Sequence, residues 1–341
     1  MKKYYTWINI ARGIGMILVV IGHAADDTWI RSASNNELAK YAIDFIYSFH
    51  MPLFFFISGF CSTKILKLTK MSDRGNYLLS RFKRLMIPYL FVGILYIPLK
   101  LLFSGEVTAK VDWGTLFLGF LNGNNPNGQL WTLYALFLLA VLFTLLNVLG
   151  KRGMIVIALA LTIVSVFYDF KTSIIQRSTY QCFFYMAGIL FNEFWIKHGE
   201  KIFNRKKSIV ITIGMFALLF GLNIVKNVSG YDPIKFFTAV AGILCVCFLA
   251  VAVQDRKCRI LNLIGKYSMD IYIIANVFQV LSRSVFLNRL HLPLIVCFLI
   301  SLILGLVMPV VLSKFIIRKV RILRMLILGD FSKMEDKHNA E

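Results

Sequence analysis

The 341-residue chain is 58% hydrophobic and 16% charged, with a mean hydropathy of +0.71. Soluble domains average about 45–50% apolar and about 25% charged residues, so an ordinary soluble globular protein is excluded. The net charge of +21, from 38 Lys and Arg against 17 Asp and Glu, would suit nucleic acid if it formed one patch. It falls instead in short clusters between apolar blocks of about 20 residues, which excludes a nucleic-acid partner and points to membrane lipid.

Taken in chain order, the predicted crossings are 7–25, 41–63, 86–103, 130–149, 153–169, 179–196, 208–225, 234–253, 267–284 and 291–313. Segment 113–121 is apolar but too short to cross, and reads as re-entrant or interfacial. The expected fold is all-α: a polytopic membrane helix bundle of about ten transmembrane helices. One membrane domain covers 1–315, followed by a basic cytoplasmic tail over 316–341. That tail alternates basic and apolar residues, which suits either an amphipathic helix on the inner leaflet or a stop-transfer cluster with a frayed end.

Orientation follows from charge. With the N-terminus in the cytoplasm, 27 of the 38 Lys and Arg fall on the inner side and 10 on the outer, and Arg12 lies within the first span. The positive-inside rule favours that arrangement, in the cell membrane. Lys2, Lys3 and Gly22-His23-Ala24 loosely resemble a cleavable signal peptide, but Arg12 just before the apolar run argues for a retained helix. Six cysteines are present. Cys245-Val246-Cys247 has no His or second Cys pair nearby, so structural roles and no metal site are expected.

Ionisable residues within spans are costly and tend to be functional. Arg12 and His23 are eleven residues apart, about three helical turns, so they share one face at depths roughly 16 Å apart. Singly, an anchoring Arg and a structural His would suffice as explanations. The second span holds His50 in Phe49-His50-Met-Pro-Leu-Phe-Phe-Phe-Ile-Ser-Gly59. Pro52 frees the carbonyl of residue 48 and should kink the helix. Asp44 lies nearer the outer surface, within reach of either His.

Arg81 and Arg84 are three residues apart on one helix face, ahead of Pro88. Guanidinium suits phosphate geometry, although positive-inside anchoring explains such a pair equally simply. On the outer side, Asn122-Gly-Asn-Asn-Pro-Asn127-Gly-Gln129-Leu-Trp131 combines amides with an aromatic, as a sugar site or an ordinary turn with an interfacial Trp would. Glu193, Asp270 and Asn276 are the polar candidates of the later spans.

Together these pieces resemble the acyltransferase 3 family of membrane acyltransferases over about residues 5–315. The carriers are Arg12 with His23, the His50-Met-Pro-Leu-Phe-Phe-Phe-Ile-Ser-Gly59 motif, Arg81-x-x-Arg84-x-x-x-Pro88, Gln129-Leu-Trp131 and Gly265-Lys-Tyr-Ser268-Met-Asp-Ile-Tyr272. The second motif looks most like the branch of sugar O-acetyltransferases related to fucose O-acetylase. The resemblance implies transfer of an acyl group, usually acetyl from acetyl-CoA, to a hydroxyl of a cell-envelope carbohydrate. His23, Arg12 and His50 would be catalytic, Arg81, Arg84 and Arg12 would hold the donor, and Asp44, Asn127 and Trp131 would meet the acceptor. One departure stands out: family members often carry a His at the position of Ala275, a role that is absent here or moved to Asn276. The competing class is a transporter with Arg12 and the histidines on its path, but paired broken helices in matching halves are not evident.

Overall fold

The structure, a computed structural model, describes residues 5–30, 36–102, 113–168, 170–199, 202–230, 233–256 and 258–332. These residues form helices joined by turns and short loops, and no strand occurs among them. Hydrocarbon offers no partner for a backbone N–H or C=O, so a chain this apolar satisfies those groups within helices. The chain divides into two compact units, Met1–Lys67 with Leu146–Phe170 and Thr179–Val310, and Leu68–Leu145 with Lys171–Ser178 and Val311–Glu341.

In chain order the elements are α1 (Thr6–Ala25), α2 (Glu37–Tyr47), α3 (His50–Phe60), α4 (Met71–Leu102), the short α5 (Leu116–Leu121), α6 (Trp131–Leu146) and α7 (Gly150–Phe167). They continue with α8 (Ser173–Phe194), α9 (Arg205–Ser229), α10 (Ile234–Val253), α11 (Arg259–Lys266), α12 (Ser268–Ser282), α13 (Leu294–Leu312) and α14 (Arg321–Leu328). Among the described residues each predicted crossing falls mainly on helix, the second of them across a break. Eight stretches are long and apolar enough to span a bilayer. One of them, Gly128–Phe167, holds both α6 and α7, which part at Gly150 (φ +68°). The polar residues Gln176, Arg177, Gln181, Asn192 and Glu193 keep α8 below that standard despite its 22 residues.

The first unit is organised around α1, which touches α2, α3, α10, α11 and α12. Its Met16, Val19 and Val20 pack with Ile264, Tyr267, Ile271 and Ala275. Gln279 of α12 donates its Nε2–H to the Val20 carbonyl at 3.0 Å. Beyond α1, Asp27 and Arg283 form a buried ion pair at 2.7 Å. Arg283 is one of the ten charges that the positive-inside count places outside; the fold buries it against a carboxylate that neutralises it. Helices α3 and α8 meet backbone to backbone: a Cβ on Gly59 would lie 1.9 Å from the Tyr185 carbonyl oxygen, and one on Gly188 would lie 2.0 Å from that of Phe56. Only glycine admits such an approach.

The predicted kink in the second span is a full break. Helix α2 ends at Tyr47, Ser48 and Phe49 form a turn, and α3 starts afresh at His50. Pro52 thereby sits in the first turn of α3, where its missing N–H costs no hydrogen bond.

In the second unit, α4 contains Pro88 and Pro98 and receives the C-terminal helix α14. The tail is thus helical and docked as far as Leu328, rather than frayed; residues 333–341, including Lys333 and Lys337, lie outside the described residues. Helix α5, within the segment read as too short to cross, is six residues long.

Candidate active site

The break in the second span places three rings together in the first unit. His50 opens α3 and is buried. Its Nδ1 lies 3.0 Å from the Ile46 carbonyl oxygen. A carbonyl can only accept, so Nδ1 carries the hydrogen and the neutral ring keeps its lone pair on Nε2. Tyr47 ends α2, and its ring centroid is 5.0 Å from that of His50. On its other side the Tyr47 hydroxyl lies 3.4 Å from Nδ1 of His23, with ring centroids 5.9 Å apart. His23, half-buried on α1, is therefore linked to His50 through a phenol. One imidazole has a fixed tautomer, and the other is partly open to an incoming group. That is a constellation suited to moving a proton.

Arg12 lies on α1 and is half-buried. Its Nη2 donates to the Cys61 thiol at 3.0 Å, just past the end of α3. Helices α1 and α3 thus carry both histidines and this contact. Asp44 does not pair with either histidine: its side chain points outward from α2 and is exposed. Spacing along the second span allowed the pairing, but the chain turns at Ser48 and Phe49, and His50 is buried while Asp44 is exposed.

Arg81 and Arg84 stand on α4 in the second unit. The Arg81 guanidinium lies 4.9 Å from the Tyr77 ring centroid. Arg84 donates through Nη1 to the Leu328 carbonyl at 2.8 Å, a cation on the C-terminal end of α14 where the helix dipole favours one. Gly329, at φ +59°, then turns the chain against the backbone of Lys83 and Arg84, and Lys83 reaches over the Phe331 ring. Asp330 completes this dock. Partial burial alone would raise its carboxyl, but hydrogen bonds from the Ser332 hydroxyl and N–H, with the Arg324 and Arg84 cations, hold it below the ordinary carboxylate value.

The amide-rich loop of the same unit is a knot of internal bonds. Asn125 donates to the Tyr89 carbonyl at 2.8 Å and accepts from the Asn127 N–H at 2.9 Å. Asn127 is fully buried, and its Oδ1 caps the turn starting at Gly128. Its Nδ2 has no hydrogen-bond partner in the structure. Trp131 is half-buried beneath the Arg177 guanidinium, 5.2 Å from the centroid.

Of the other polar candidates, Glu193 is paired with Lys151, Asp270 is buried in the first turn of α12, and Asn276 is half-buried. Ala275 is buried in the cluster formed by Met16, Val19, Val20, Ile264, Tyr267 and Ile271. Gly265 of the last motif brings α11 onto the α1 backbone at Asn9. Among the described residues no group of three or more His, Cys, Asp or Glu converges to hold a metal ion. Sequence reasoning missed Tyr47 and the Asp27–Arg283 pair. Asp27 lies four residues after His23, a spacing that signals proximity on a continuous helix; Tyr47 meets His50 across the Ser48–Phe49 turn, which spacing alone does not reveal.

Fold and site together define a multi-pass, all-α membrane protein with paired histidines on adjacent helices. The chain belongs to the family described as Acyltransferase domain (Acyl_transf_3), whose profile matches residues 5–314. It is similar to Nodulation protein NolL of Sinorhizobium fredii (strain NBRC 101917 / NGR234), 30% identical over 229 residues, 66% of this chain and 58% of that protein. It is also similar to Nodulation protein NolL of Mesorhizobium japonicum (strain LMG 29417 / CECT 9101 / MAFF 303099), 27% identical over 225 residues, 66% of this chain and 57% of that protein. The matched region thus covers less than two thirds of each relative. No solved structure matches.

Proposed function

We propose that the protein is a cell-membrane O-acyltransferase that moves an acyl group, in the simplest case acetyl, from acyl-CoA to a hydroxyl of a cell-envelope carbohydrate. The observation that carries this reading is the His23–Tyr47–His50 cluster on adjacent helices of an acyltransferase-family chain. A sugar hydroxyl is a poor nucleophile until a base takes its proton, and neutral imidazole does so at cellular pH. In the reaction the hydroxyl oxygen bonds to the thioester carbonyl carbon as His23 accepts its proton. The tetrahedral intermediate then collapses, the C–S bond breaks, and the coenzyme A thiolate leaves and takes up a proton. His50 supports the site from its fixed position. Arg12, Arg81 and Arg84 supply cations for the donor phosphates. For the carbohydrate, Asp44 offers an exposed carboxylate and Trp131 a half-buried ring, while buried Asn127 supports the turn that leads into Trp131. The positive-inside bias puts the donor arginines on the cytoplasmic side and the amide-rich loop outside.

The test is hydrolysis of radiolabelled acetyl-CoA by purified protein without acceptor, together with transfer of label to envelope carbohydrate in membranes. Slow hydrolysis that His23→Gln abolishes supports the reading. Full hydrolysis by His23→Gln, or none by the wild type alongside no transfer, overturns it.

A further inference from the structure

The turn between α2 and α3 brings Tyr47 against both imidazoles, and one detail of α1 shows that this contact is built in. A Cβ on Gly22, the residue before His23, would lie 2.6 Å from Cε1 of Tyr47. Real Cβ atoms do not come that close to a ring carbon, so any side chain at position 22 would drive the phenol away. Gly22 is thus the recess into which the Tyr47 ring fits.

We propose that Tyr47 is the positioning residue of this site, seated by Gly22, and that it holds the His23 imidazole in the tautomer and orientation a base requires. The inference rests on the acyl-transfer reading above. In that tautomer Nδ1–H of His23 donates to the phenol oxygen, and the lone pair stays on Nε2, directed away from Tyr47. The 3.4 Å separation is long, as such bonds often are before substrate binds. The Tyr47 ring also rests on His50, which the Ile46 carbonyl immobilises. His23 is thereby braced against a fixed group on the neighbouring helix, and the proton-accepting nitrogen keeps its place as substrates come and go. A phenol suits this role because it accepts a hydrogen bond without carrying charge, so His23 stays neutral until it takes the substrate proton.

The experiment is a kinetic double-mutant cycle on detergent-solubilised protein, measuring transfer kcat and KM for acyl-CoA. Tyr47→Phe keeps the ring and removes the hydroxyl; kcat should fall about threefold to tenfold with KM for the donor unchanged. Gly22→Ala touches neither histidine but displaces the ring, and should lower kcat in the same way. In a Tyr47→Ala background the recess is empty, so Gly22→Ala should cost nothing further, a coupling that independent structural damage would not produce. Wild-type kcat for both Tyr47→Phe and Gly22→Ala would overturn the proposal, as would equal losses from Gly22→Ala with and without Tyr47. If Gly22→Ala fails to fold, Tyr47→Phe decides alone. His23→Gln separates the two levels: its retaining activity sinks the acyl-transfer reading, whereas a dead His23→Gln with an unimpaired Tyr47→Phe sinks only the role of Tyr47.

Discussion

His50 is tied to Ile46, its own neighbour one turn earlier across the helix break, by a 3.0 Å bond from Nδ1 to the carbonyl. This bond separates two roles for His50. Asn places an amide N–H close to where Nδ1–H stood but has nothing in place of Nε2. If His50 chiefly braces the site, His50→Asn should keep most of the transfer rate. His23→Gln should lose at least about a hundredfold, the usual cost of removing a general base, while still binding donor. Transfer assays with acyl-CoA binding measured in parallel check this. A dead His50→Asn beside an active His23→Gln would exchange the two roles.

Arg81→Ala should raise the apparent KM for acyl-CoA. A charge-assisted Arg–phosphate contact is worth roughly 1.5–3 kcal/mol, or about 10- to 150-fold. Arg84→Ala is ambiguous alone, because Arg84 also caps α14. Gly329→Ala resolves it: the added Cβ meets the Lys83 carbonyl at 2.5 Å and the Arg84 backbone at 2.7 Å, which loosens the dock while the guanidinium itself is retained. A raised KM in Arg84→Ala but not in Gly329→Ala identifies direct donor contact. Equal effects assign Arg84 to the tail.

The docked tail should be acid-sensitive through Asp330. Its folded carboxyl titrates below the ordinary value, so its contribution is complete above pH about 4 and is lost as pH falls through the lowered value. Limited proteolysis of the segment after Val320 should show protection at pH 7 that fades in acid. Asp330→Asn should lack that protection already at pH 7.

Breaking the Asp27–Arg283 pair from one side strands a buried charge. Asp27→Leu or Arg283→Met alone should cost about 3–5 kcal/mol, while the two together should cost much less. Thermal unfolding in detergent measures this, and equal costs for single and double variants would show that the pair is not the stabilising unit.

Topology is testable at two exposed positions. Gly128 has open space around it and Ser72 is exposed. In a Cys61→Ser background, Gly128→Cys should react with an impermeant thiol reagent in intact cells, and Ser72→Cys only after permeabilisation. The reverse pattern would put the donor arginines on the wrong face.

What was legible in the chain follows the physics of each signal. Apolar blocks translate into helices because lipid leaves the backbone no alternative, and Pro52 announced the interruption of the second span. Charge roles were less legible. Arg283 counts as a loop cation until the fold brings Asp27 to it. Arg84 has the same sequence signature whether it anchors, binds phosphate or caps a helix. Asn125 and Asn127 suggested a sugar site, but Asn125 bonds to Tyr89, whose partner position lies 36 residues away, a distance no local pattern spans. Tyr47 escaped notice because an aromatic beside an apolar helix is ordinary until its ring is seen between two histidines.

The interrupted second span has a consequence for biogenesis. Helices α2 and α3 are 11 residues each, about 16 Å of helix, roughly half of a 30 Å hydrocarbon layer. Neither half can be recognised and released into lipid as a complete anchor by itself. Most of the apolarity lies in α3, after the break, so the polar α2 must be carried in by the segment that follows it. The same interruption that lets the His50 ring reach the Ile46 carbonyl therefore makes this span depend on its neighbours at the translocon. Here the residues that shape the site also decide whether the chain is threaded correctly.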